Sequence, residues 1–136
     1  MNLHNKANIL LIALSGGAFL IFGIWLLSSP LEGLASFGIH LAAEPAHRIE
    51  IRAFYGGLEI GLGLLLLKFA IHSEYRRAGL WLVFASYGAL AAARIVGISA
   101  ESGPIPNTVW FALAVELAFG VLGLLALTIR QDGEPS

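Results

Sequence analysis

Four stretches of about 20 mostly apolar residues, separated by short polar segments, leave this chain few ways to fold. A run that long and that poor in charge matches the hydrocarbon thickness of a bilayer when it is helical. In lipid, a helix also satisfies every backbone polar group within the segment. The four runs lie at about Ile9 to Ser29, Ile51 to Ile71, Ala78 to Ile98 and Val109 to Ile129. The expected fold class is therefore all-α, an integral membrane four-helix bundle forming one domain over residues 1–130. A polar tail, residues 131–136, follows it. Only 12% of the residues are charged, against roughly 25% in an ordinary soluble domain. A soluble protein of 136 residues has a large surface to cover and needs more charge than this.

Local punctuation supports these limits. Pro30 stops the first run, while Pro104 and Pro106 precede the fourth, which Asn107 or Thr108 can cap. The first run is longer than the apolar part of a signal peptide and has only Lys6 before it, so it reads as a retained span. Trp25, Trp81 and Trp110 fall near span ends, where indole rings anchor at the membrane interface. Lys6, Lys68, Arg76, Arg77 and Arg130 fall on one side of the membrane, with Arg48 alone outside a span on the other. That bias predicts cytoplasmic N- and C-termini. The 30–50 and 99–107 loops then face outward, and the first is long enough to hold a short helix.

Four ionisable residues remain inside the spans: Arg52, Glu59, Arg94 and Glu116. Arg52, Tyr55 and Glu59 are spaced i, i+3, i+7 and are expected on one helix face. At 1.5 Å per residue, both acids lie about 10 Å below the outer end of their helices. Arg94 is near the outer end of the third span, with Tyr87 one heptad deeper. An unpaired charge at the bilayer centre costs about 2.5–3.5 kcal/mol on insertion scales. The four should therefore pair inside the bundle, as Arg94 with Glu116, or Arg52 with Glu59 or Glu116, with tyrosine hydroxyls serving spare carboxylate lone pairs. Gly56, Gly57 and Gly61 in the second span and Gly120 and Gly123 in the fourth are candidate close-packing positions, with Gly57 and Gly61 forming a small-xxx-small pair.

The stretches "EIRAFYGGLEIGLGLLLL", "RRAGLWLVFASYGALAAARIVGI", "SGPIP" and "VELAFGVLGLLAL" resemble the DUF4345 family of four-span bacterial membrane proteins. Glu50, Arg52, Tyr55, Gly56, Gly57, Arg94, Gly103, Pro104 and Glu116 carry the match, while Ile49 and Ala93 depart from the pattern. The resemblance implies a multi-pass protein of the bacterial inner membrane and assigns no activity. A looser similarity in size and topology is to DoxX-like membrane proteins, and a shared fold transfers no function.

Several function classes are disfavoured. With no cysteine there is no disulfide, thiolate metal site or Cys nucleophile. A net charge of −1 without a basic block gives no reason to expect a nucleic-acid partner. Ser86 and Ser99 have no histidine at helical spacing to activate them. His40, Glu44 and His47 have metal-ligand spacing, but Pro45 interrupts the helix they would share, so no metal is assigned. A transporter would show repeats and broken helices, which are not evident here. No catalytic residue and no cofactor is assigned, and an enzyme is the less favoured reading.

Two readings remain. In the first, Arg52, Tyr55, Glu59, Arg94 and Glu116 form an outward-facing polar cup that binds a small molecule or a lipid head group. In the second, the charge pairs only fix helix packing in a structural or accessory subunit. The expected partners are membrane lipids and either a second copy of the chain or a larger membrane complex.

Overall fold

The computed structural model describes residues 3–129, so the expected polar tail, like Arg130, lies outside the described residues. Every regular element among them is helical: α1 (Leu3–Ser28), a short α2 (Pro30–Ala35), α3 (Pro45–Ile71), α4 (Arg76–Ala100) and α5 (Asn107–Thr128). The four longer helices are each long and apolar enough to cross a membrane. They run alternately up and down, and the Asn5 side chain accepts a hydrogen bond from Arg76 at the end where α1 and α4 begin.

The helix limits differ from the apolar runs in a consistent way. The second span begins six residues early, at Pro45, because proline suits the first helical turn. The long first loop holds α2, which Pro30 opens. Gly38, at φ +81°, ends it in the left-handed conformation that lets the Ile39 N–H reach back to the Leu34 carbonyl at 3.1 Å. Leu26, Leu34 and Ile51 pack together beneath this cap.

Two antiparallel pairs, α1 with α3 and α4 with α5, make the closest helix contacts. In the first pair, glycines seven residues apart on each helix oppose one another. A Cβ on Gly16 would lie 3.0 Å from the Gly63 carbonyl, and one on Gly23 would lie 2.9 Å from that of Gly56. The backbones themselves are in contact, the arrangement that gives van der Waals attraction its longest reach between helices in lipid. In the second pair, Gly123 abuts Phe84 and Gly120 faces Gly88. The pairs join through a core of Ile12, Phe19, Leu66, Leu80, Val83, Tyr87 and Ala126.

Of the five expected packing glycines, Gly56, Gly120 and Gly123 meet a neighbouring helix. Gly57 and Gly61 do not. A Cβ at Gly61 meets nothing within 4 Å, and one at Gly57 meets only the Arg52 carbonyl of its own helix. The seam runs through Gly56 and Gly63, so the small-xxx-small pair faces away from the bundle.

Candidate functional site: an intramembrane ion pair and the cleft beside it

Residues Arg52–Gly57 of α3 form a π-helical turn. Its i→i+5 hydrogen bonds widen the helix and break the 3.6-residue repeat. Arg52 is therefore turned off the face that carries Glu59. Arg52 turns toward the end of α1 and donates from Nε to the Leu27 carbonyl at 3.0 Å, one of the carbonyls that a helix C-terminus leaves without a partner. Tyr55 is 48% exposed and reaches no carboxylate. Glu59 alone turns inward, and its Oε2 is buried without a hydrogen-bond partner among the described residues.

Arg94 and Glu116 meet as a bidentate pair. Nε donates to Oε2 at 2.8 Å and Nη2 to Oε1 at 2.6 Å. The planar fork of guanidinium donors matches a carboxylate, which makes this the strongest form of side-chain pairing. The partners are unequally buried, with the Arg94 side chain 31% exposed and that of Glu116 8%.

One heptad below Arg94 on α4 is Tyr87, which is 6% exposed. Its ring stacks on Phe119 at 4.9 Å and tilts against Phe19 at 5.3 Å. Its hydroxyl lies near Ser15. Ser15 is fully buried and donates to the Leu11 carbonyl at 2.8 Å. The polar interior thus draws on all four spans. Tyr87, expected one heptad below Arg94, belongs to it, as does Ser15, which only its hydroxyl in an apolar run could have signalled, while Arg52 and Tyr55 do not.

Glu59 works against stability where it stands. A buried polar atom without a partner costs about 1–3 kcal/mol. We expect Glu59→Leu to raise the unfolding midpoint in detergent, with a gain of up to about that size. A loss of stability instead would mean that Glu59 has a structural partner.

Next to Arg94, an open cleft of about 280 Å³ with a largely apolar lining lies between the last turns of α4 and the first of α5. Arg94 forms part of its lining, with Gly97, Ile98, Glu101, Ile105 and Val109. Gly97 keeps the space open, since a Cβ there would meet nothing within 4 Å. Two of the five guanidinium N–H groups go to Glu116, and Nη1 makes no hydrogen bond to a described residue.

Four apolar helices around a buried ion pair define a multi-pass α-helical membrane protein. Over residues 8–127 the sequence matches DUF4345, a domain of unknown function, and the chain belongs to that family. No curated protein and no solved structure matches the chain.

Proposed function

We propose that this chain is an inner-membrane protein that holds a small molecule or lipid head group at an outward-facing intramembrane site centred on Arg94 and Glu116. The observation that carries the reading is Arg94 itself. Its guanidinium is fixed by Glu116, keeps Nη1 without a hydrogen-bond partner among the described residues, and belongs to a residue that borders an open, largely apolar cleft. A partly desolvated cation with free donors is a recurrent anchor for a polar ligand within a membrane. The orientation rests on the excess of Lys and Arg at the opposite end, including Lys6, Lys68, Arg76 and Arg77. That excess supports cytoplasmic termini and a cleft at the outer surface.

A second reading has its own support. Both carboxylate oxygens of Glu116 are satisfied by Arg94, as in a pair that serves only to fix helix register.

Gly97→Leu separates the two. It fills the cleft, leaves the ion pair in place and replaces a helix-weakening residue by a good helix former. Mass spectrometry of small molecules and lipids that co-purify with the protein should find a species held by the wild type and lost from Gly97→Leu, with Glu116→Gln losing it too. Identical extracts from wild type and Gly97→Leu would leave the structural role standing.

A further inference from the structure

We propose that Glu59 is a proton-binding site within the membrane: at neutral pH its carboxyl is a neutral acid, set beside the closest helix contact of the bundle and reachable by reagents dissolved in lipid. The site is separate from the one centred on Arg94 and Glu116 and does not depend on it.

Position is the first argument. Gly63, Leu66 and Ala70 follow Glu59 at i+4, i+7 and i+11, and all three are buried. Glu59 therefore stands in the stripe that α3 turns toward its neighbours, where packing calls for an apolar side chain. Gly63 opposes Gly16 and Gly56 opposes Gly23, so α1 passes Glu59 with the stretch between its two glycines. That stretch, "GAFLIF", holds no charge and no side-chain donor.

The second argument is that the cations around α3 are engaged elsewhere. Glu59 Oε2 is buried and accepts no hydrogen bond among the described residues. The helices with the main contacts to α3 are α1, α4 and, at its start, α2. α1 carries His4 and Lys6, both in its first turn, and α2 carries only Glu32. α4 carries Arg76 and Arg77 in its first turn, then Tyr87 and Arg94. Arg76 donates to Asn5, and Arg94 is held by Glu116 of α5. On α3 itself, His47, Arg48 and Glu50 precede the π-turn, and Arg52 bonds the Leu27 carbonyl. Lys68, nine residues beyond Glu59, lies over the Tyr75 ring at 5.9 Å, with Glu74 in the same turn. A carboxyl in so apolar a setting, with no donor beside it, sheds its charge by binding a proton. Glu116 is the opposite case, since both its oxygens accept from Arg94.

Access is the third. Oε2 is enclosed, yet the residue as a whole keeps part of its surface open. Leu58 beside it is 56% exposed, and a Cβ on Gly61 would meet nothing within 4 Å. Glu59 is near the middle of α3, where the open surface of a span meets hydrocarbon. A carbodiimide dissolved there adds to a carboxylic acid. The acid's proton passes to one nitrogen, its oxygen bonds the central carbon, and the acyl group then migrates to nitrogen. Nothing leaves, so the side chain gains the whole reagent, and a carboxylate without its proton does not take part.

The test treats the full-length protein in lipid vesicles at neutral pH with dicyclohexylcarbodiimide and maps the adduct by peptide mass spectrometry. One adduct is expected within the spans, on Glu59, with Glu116 unlabelled. Glu59→Gln, which keeps the shape of the side chain, should lose it, and the wild-type map stands without any variant. Labelling of Glu116 in place of Glu59 would overturn the assignment. Infrared difference spectra of the wild type against Glu59→Gln read the proton directly, through the carbonyl stretch of a neutral carboxylic acid, which moves in heavy water. That band is expected. Carboxylate bands in its place would overturn the proposal and mean that a cation from outside the chain faces Glu59. The neutral-acid band without any labelling would overturn the access from lipid.

Discussion

Arg94→Leu should destabilise the bundle by about 3–5 kcal/mol, the usual consequence of removing one partner from a buried ion pair. The reason is the charge left behind. Glu116 sits in the middle of α5 with an 8% exposed side chain, and without Arg94 its carboxylate has no donor. Glu116→Leu is expected to cost less, roughly half as much, because a freed arginine can extend its stem toward the interface. Arg94 is six residues from the end of α4 and already 31% exposed. The double exchange, Arg94→Glu with Glu116→Arg, should recover most of the loss. Equilibrium unfolding in mixed micelles measures all three. Equal losses for the two single changes would contradict the asymmetry of burial, and no loss for either would mean that the pair contributes nothing to folding.

The second large effect is one of opposite signs two residues apart. Gly63→Ala should lower stability by about 1–3 kcal/mol, in the range of overpacked cores. Its Cβ would lie 2.7 Å from the Leu20 nitrogen and 2.8 Å from the Gly16 carbonyl, both backbone atoms, so α1 and α3 must move apart. Gly61→Ala should instead be neutral or raise stability by up to about 1 kcal/mol, since alanine favours the helix and its Cβ meets nothing. The same micelle assay applied to both variants decides the matter. If both destabilise alike, the α1–α3 contact is not what holds the pair together.

These contrasts also mark what the sequence could and could not reveal. The four long helices follow from run length, since only spans of that size fit a bilayer. The expense of an unpaired charge in lipid made pairing legible but left Arg94 with Glu116 and Arg52 with Glu59 or Glu116 all open, and the structure forms the first. The π-turn was not legible, because it depends on hydrogen bonds that slip by one residue, and nothing in "RAFYGG" specifies that slip. Its effect was to turn Arg52 off the face it was expected to share with Glu59. The choice among glycines was equally hidden. With Gly56, Gly57, Gly61 and Gly63 in one short run, several faces of α3 could be the close one, and only the opposing heptad of Gly16 and Gly23 selects Gly56 and Gly63. Tyr87 was legible one heptad below Arg94, whereas Ser15 escaped because a hydroxyl in a span can satisfy itself on its own helix, as Ser15 does on Leu11.

The widened turn at Arg52–Gly57 has one more consequence. A π-turn holds one residue more than the α-helical turn it replaces, so it acts as a spacer between two lengths of α3 that need different phases. Below it, Gly63 keeps step with α1; above it, Arg52 reaches the end of the same helix. Deleting a single residue such as Ala53 would restore regular winding and turn everything before it by about 100°. The outer loop, α2 and the Arg52 contact would then be misaligned with a transmembrane half left undisturbed. In this segment a shortening by one residue is expected to be more harmful than most substitutions, and sequences related to this one should keep its length more strictly than its letters.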